Sequence, residues 1–172
     1  MPPMYDPEAV RPMWEELVEV GITPLTTPDA VDAALGQSTG TAMLVINSVC
    51  GCAAGACRPG VMLALQNDLI PDKLYTVFAG MDTEATQRAR QLIGPELPPS
   101  SPNVILFKDG KPFFAMQRHH IEQRNAVEIA NELRKAFNAH CTSKGPSVSP
   151  EKFEEILPVQ QCGSKIPLYQ GD

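Results

Sequence analysis

Three thiols crowd one short stretch of this chain. In NSVCGCAAGACRPG (47–60), Cys50, Cys52 and Cys57 fall within eight residues, between two apolar runs. A thiolate sulfur is both a nucleophile and a soft metal ligand, so the cluster has two candidate chemistries. One is disulfide exchange; the other is capture of an ion such as Cu(I) or zinc. Ordinary burial is the third reading, and it suits Cys57 best, because free cysteine is commonly interior.

Spacing narrows the choice. Residues two apart on a helix point roughly 200° apart, so Cys50 and Cys52 can meet only if Cys50 precedes the helix and Gly51 lets the backbone turn tightly. Their disulfide would close a ring of roughly eleven atoms, hard to build at the preferred torsion, and a strained pair exchanges readily. Cys57, if the segment is helical, sits roughly 10 Å along the axis from Cys50, beyond disulfide reach. For metal, C-x-C with a third cysteine five residues on offers a thiolate set, but paired zinc spacing is absent. The three histidines, His119, His120 and His140, stand far along the chain.

The elements around the cluster decide what it can do. TAMLVINS (41–48) is a continuous apolar, β-branched run, as a strand buried on both faces would be. PGVMLALQNDL (59–69) then has helical spacing at Val61, Leu65 and Leu69. Cys50 therefore falls at the carboxyl end of a strand, where α/β sheets carry their sites, facing the free N–H groups of a helix start that favour a negative sulfur. Arg58, eight residues on, is a candidate source of further positive potential. His119 and His120 beside Arg118 invite an acid–base reading, but between a strand and a helix a surface or capping role fits equally.

Elsewhere helices and strands alternate. WEELVEVG (14–21) reads as an amphipathic helix with a glycine stop, and ITPL as a short extended piece. Thr27 caps a helix with Pro28 in its first turn. LYTVFAG (74–80) reads as a second buried strand, and Asp82 caps TEATQRARQLIG, which ends at Gly94. After the proline-rich loop PELPPSSP, NVILF (103–107), KDGK and PFFAM (112–116) form a hairpin, since Asp-Gly supplies the positive φ of a tight turn. Asn125 caps AVEIANELRKAFNAH (126–140). Alternation predicts parallel strands with crossover helices and an antiparallel edge from the hairpin. Pro102, just before NVILF, would lie at the same sheet end as Cys50, and an X-Pro bond reaches the cis form at little cost.

Strand, C-x-C, helix, strand, helix, Pro-strand, hairpin, helix is the order of a thioredoxin-like fold: a central mixed sheet, helices on both faces and an added N-terminal helix. The sequence resembles the bacilliredoxin family in INSVCGCAAGACRPG (46–60), FAGMD (78–82), SSP (100–102), RHHIE (118–122) and AHC (139–141). The resemblance runs from about residue 4 to Cys141. It implies a thiol–disulfide oxidoreductase that takes low-molecular-weight thiols off mixed disulfides on oxidised proteins. Cys50 matches the attacking cysteine, Cys52 the resolving one, and Pro102 the cis-proline beside the site. Cys141 matches the family's C-terminal cysteine, with its role left open. No bound cofactor is implied. The small thiol is a co-substrate, the clients are oxidised proteins, and a further reductant must regenerate the enzyme. Two features depart from the family pattern: Cys57, and a segment beyond Cys141 that contains Cys162.

Composition is that of a soluble globular protein. The chain has 172 residues, 43% of them apolar, and a net charge of −6. That suits one compact domain and argues against nucleic acid or an anionic membrane as partner. The start, MPPMYDPEAV, has no secretory pattern, and no apolar run spans a bilayer, so a cytoplasmic location is expected. Five cysteines in that compartment do not read as a structural disulfide framework. Residues 1–141 form the predicted domain. The polar segment 142–172, with at most one short helix in EKFEEIL, is expected to be a mostly irregular, loosely docked extension. A general disulfide isomerase or reductase on the same cysteines, and a thiolate metal-binding protein, remain the alternatives.

Overall fold

The computed structural model describes residues 1–36, 39–156 and 166–171. Its centre is strand β2 (Thr41–Asn47), buried along its whole length. β4 (Lys73–Phe78) lies parallel to β2 on one side, with β1 (Thr23–Pro24) parallel beyond it. On the other side β5 (Asn103–Lys108) runs antiparallel to β2, and β6 (Lys111–Met116) completes the sheet as an edge. Asp109 and Gly110, both at positive φ, make the turn between them, as a two-residue hairpin loop requires.

The pleat of the central strands sorts side chains into two cores, because successive residues face opposite sides. Met43 and Val45 of β2, with Val104 and Leu106 of β5, face the layer made by α3 (Arg58–Ala64) and α6 (Ala126–His140). Ala42, Leu44 and Ile46, with Ile105 and Phe107, face α2 (Pro28–Val31) and α4 (Thr83–Ile93). Helices thus cover both faces of a mixed sheet, and α1 (Pro7–Glu19) precedes it, as a thioredoxin-like fold requires. Helix α1 starts seven residues before the predicted Trp14 because Asp6 accepts the Glu8 N–H and Pro7 fits the first turn.

Three local readings change. Helix α3 ends at Ala64, so Leu69 is not on it; Leu69–Ile70 form β3, paired with Ser143–Lys144 (β7). Asp82 occupies the N-cap position of α4, but its side chain makes no cap bond. Nor do the described parts of the extension hang loose. Ser147 N–H donates to Leu65 O, Gln66 donates to Val148 O, and α7 (Pro150–Glu155) brings Phe153 against the α3–α6 core. Ile166 is buried beside Val10 and Val49, and Leu168 bridges Tyr5. Pro- and Ser-rich composition suggests mobility, but Phe153 and Ile166 dock the described parts of the segment. Cys162 lies outside the described residues. Among the described residues, no helix is long and apolar enough to cross a membrane.

Candidate active site

Register alone gathers four of the five sequence motifs at one end of the sheet, all but AHC. Asn47, the last residue of β2, pairs with Phe78 of FAGMD; Asn103, next after Pro102, pairs with Ile46; Met116, just before RHHIE, pairs with Val104. The Cys50–Cys52 turn, the Ser101–Pro102 peptide and the start of α5 (Arg118–Ile121) therefore share one edge. Pro102 is buried and the Ser101–Pro102 bond is cis.

A buried guanidinium pins the strand end that presents the thiols. Arg58, 0% exposed, holds Glu16 of α1 through Nε at 2.7 Å, and its Nη1 donates to Asn47 Oδ1 at 3.1 Å and Ser48 O at 2.9 Å. Asn47 in turn accepts the Ser48 N–H and donates to Met13 O. Arg58, a candidate source of positive potential for Cys50, is turned inward to Glu16. Its bonds to Glu16, Asn47 and Ser48 clamp α1, β2 and α3 together.

Cys50 sits half-buried in the bend before the helix. The Ser48 hydroxyl donates to its sulfur at 3.1 Å, and the Cys50 carbonyl accepts the N–H groups of Ala53 and Ala54, which starts the helix there. Gly51 is exposed and helical without entering the left-handed φ region, so no special conformational freedom is needed of it. From Ala53 to Cys57 the backbone takes a wide π turn, which leads into α3. Cys52 is half-buried on the first turn. Burial pushes its thiol up, Cys50 and Glu122 add to the rise, and Arg118 works the other way. Glu122 Oε1 lies 4.0 Å from the Cys52 sulfur and 2.7 Å from Arg118 Nε. Arg118 is the cation that faces both thiols. Its own proton is held more firmly by Glu122 first and by Cys50 next.

The remaining cysteines stand apart. Cys57 is fully buried in the α3–α6 core, and burial pushes its thiol up to about 12. Cys141 is 5% exposed and lies by Thr41, at the opposite end of β2; a seven-residue strand puts it about 20 Å from the Cys50 end. Its thiol is raised by burial above all. The family match for Cys141 therefore brings no third thiol into the site. His120 Nδ1 accepts the Gln117 N–H at the start of α5, a capping role, and burial lowers its pKa. Among the described residues, no three His, Cys, Asp or Glu side chains are grouped as a metal site would need.

A family model described as "Disulphide isomerase" matches residues 5–141. A bacilliredoxin of Salinibacter ruber is 50% identical over 144 residues, covering 83% of this chain and 84% of its own. The chain belongs to the bacilliredoxin family. A second bacilliredoxin of the same organism is 46% identical over 168 residues, covering 97% of this chain and 98% of its own. A bacilliredoxin of Cytophaga hutchinsonii is 50% identical over 135 residues, covering 78% and 98%. Both family names are names of thiol–disulfide chemistry, and the function of this bacilliredoxin-family chain is of that kind.

The sequence points to the thiols and Pro102 but not to the groups around them: Ser48 has no local signal, and Arg118 reads there only with its histidine neighbours. Arg118 and Glu122 are four apart in RHHIE, the spacing of a helical ion pair, so that signal was present. Glu16 carried none, because its partner Arg58 is 42 residues away in sequence.

Proposed function

We propose that Cys50 takes low-molecular-weight thiols off mixed disulfides on oxidised client proteins and that Cys52 resolves the product. The observation that carries this reading is the asymmetry of the pair. Cys50, in the bend before the helix, has a hydroxyl donor on its sulfur; Cys52, two residues on, has its thiol pushed up by burial first and then by Cys50 and Glu122. A nucleophile should be accessible as thiolate, and a resolver should stay protonated until the intermediate forms.

In the first step the Cys50 thiolate attacks the sulfur of the small thiol. A Cys50–S–S–R bond forms, the client–S–S–R bond breaks, and the client leaves as a thiolate that takes up a proton. No net oxidation occurs. Cys52 then loses its proton and attacks the Cys50 sulfur, forming the Cys50–Cys52 disulfide and releasing the small thiol. A dithiol reductant or further small thiol must supply two electrons to restore the pair. Arg118 stabilises negative charge on either sulfur, and Pro102 shares the sheet end of the cysteine turn, where the client chain would lie. Such a cycle belongs in a reducing compartment, and we place the protein in the cytoplasm.

The test is intact mass after exposure to a protein–small-thiol mixed disulfide. Cys52→Ala should retain the small thiol on Cys50 stoichiometrically, and Cys50→Ser should take up none. If Cys52→Ala never gains that mass, the mechanism is wrong. Faster reduction of ordinary protein disulfides, such as those of insulin, would point instead to a general reductase.

A further inference from the structure

Between α1 and the β1–β4 margin of the sheet lies a cavity of about 390 Å³. Val10 and Trp14 of α1, Pro24 of β1, Phe78 at the end of β4 and Met81 beyond it give it mostly apolar walls. No described cysteine lines it, so the thiol chemistry leaves this space unused. Among the described residues that do line it, Asp82 is the only ionisable one.

Asp82 is half-buried there and short of compensation. It stands at the N-cap position of α4 without making a cap bond, and it has no ion pair among the described residues. Burial pushes its carboxyl up to about 6, and the hydrogen bond from the Phe78 backbone works the other way without restoring it. An anion in apolar surroundings is costly to keep unless a counter-charge approaches it.

Small organic ligands are held in cavities of this kind, apolar with a few placed polar groups. Here the placed group is an anion, which sets the sign of the ligand. An ammonium supplies the missing counter-charge, and an indole in the same wall attracts a cation as well. A ligand acid meets like charge, and a neutral ligand leaves the carboxylate as it stands. We propose that the cavity binds a small organic ammonium, its apolar body against α1 and β4 and its charged head on Asp82. The proposal is independent of what Cys50 captures.

Trp14 is the single tryptophan of the chain, so its emission reports on this cavity. The full chain is titrated at mildly alkaline pH with phenethylamine, with its neutral counterpart 2-phenylethanol and with the acid 3-phenylpropionate. Each titration is followed by Trp14 fluorescence and by calorimetry. Phenethylamine is expected to bind roughly tenfold or more tighter than the alcohol, with a change in Trp14 emission, and the acid not to bind. In Asp82→Asn the amine should fall to the affinity of the alcohol, while the alcohol is unchanged.

Equal affinity for amine and alcohol in the parent protein overturns the proposal without reference to any variant, as does failure of all three to bind. A preference for the amine that survives Asp82→Asn overturns it too. Calorimetric binding without a Trp14 response places the amine elsewhere and has the same consequence. N-acetyl-lysine methylamide is the fourth probe: if it binds and phenethylamine does not, the cavity reads a protein's lysine and the small-molecule proposal falls.

Discussion

Arg58 is where the structure makes its most exposed energetic claim. Replacing it with Met keeps most of the side-chain volume but leaves the Glu16 carboxylate, 4% exposed, with its 2.7 Å partner gone. Removing one member of a buried pair costs roughly 3–5 kcal/mol, because the remaining buried charge loses its closest compensation in a poorly polarisable interior. Unfolding entropy of roughly 2.1 cal/mol/K per residue gives about 0.36 kcal/mol/K for 172 residues. Arg58→Met should therefore lower Tm by about 8–14 °C. Glu16→Met strands the guanidinium and should cost a similar amount. The double substitution strands neither, so its loss should be well below the sum, with a coupling of at least about 2 kcal/mol. Thermal melts and urea titrations of the four proteins measure this. Additive losses, or an Arg58→Met cost under about 1 kcal/mol, would show that the pair is not the clamp described. A second consequence is local: without the Nη1 bonds to Asn47 and Ser48 the cysteine turn loses its anchor, so Cys50 capture should slow even where the variant is folded.

Arg118→Gln, made in a Cys50→Ser background, removes the one influence that lowers the Cys52 thiol and unpairs Glu122, which raises it; the pH profile of Cys52 alkylation should move up, and Glu122→Gln should move it down. Coincident profiles would refute that assignment. Gly60→Ala would set a methyl 2.7 Å from Ile129 Cγ2 and 3.0 Å from Ala126 O, so α3 and α6 must part; despite alanine's better helix propensity it should cost roughly 1–3 kcal/mol in urea titration, and an unchanged midpoint would sink the packing argument. Asp82 has its carboxyl raised to about 6 by burial. A raised folded-state value means stability present at low pH is lost as pH climbs through the window from about 4 to 6. Asp82→Asn should thus gain on wild type between pH 4 and pH 7 in parallel melts, and a pH-independent difference would contradict it.

Most of the scaffold was readable because its signals are local. The cap at Asn125, the Asp109–Gly110 turn and the apolar run 41–47 each depend on neighbours a few residues away, and each appears where periodicity and turn chemistry put it. The pairing of β3 with β7 was not readable. Both strands are two residues long, and they meet across more than seventy residues of chain. Docking of the described parts of the extension was not readable for a related reason: Phe153 and Ile166 make it, and isolated apolar residues carry no period.

The site divides along the same line. The sequence by itself determined where the candidate cysteine pair lies, at the end of a buried strand, and the proline that shares that end, since strand register follows from the apolar pattern. Only the tertiary structure decided which charges act on those thiols. Arg58, eight residues from Cys50, is turned inward to Glu16, while Arg118, 68 residues from Cys50, faces both sulfurs. It also decided that Cys57 and Cys141 are not partners, one inside a core and the other at the far end of β2. Electrostatic influence depends on distance and burial in space, and neither is a function of separation along the chain.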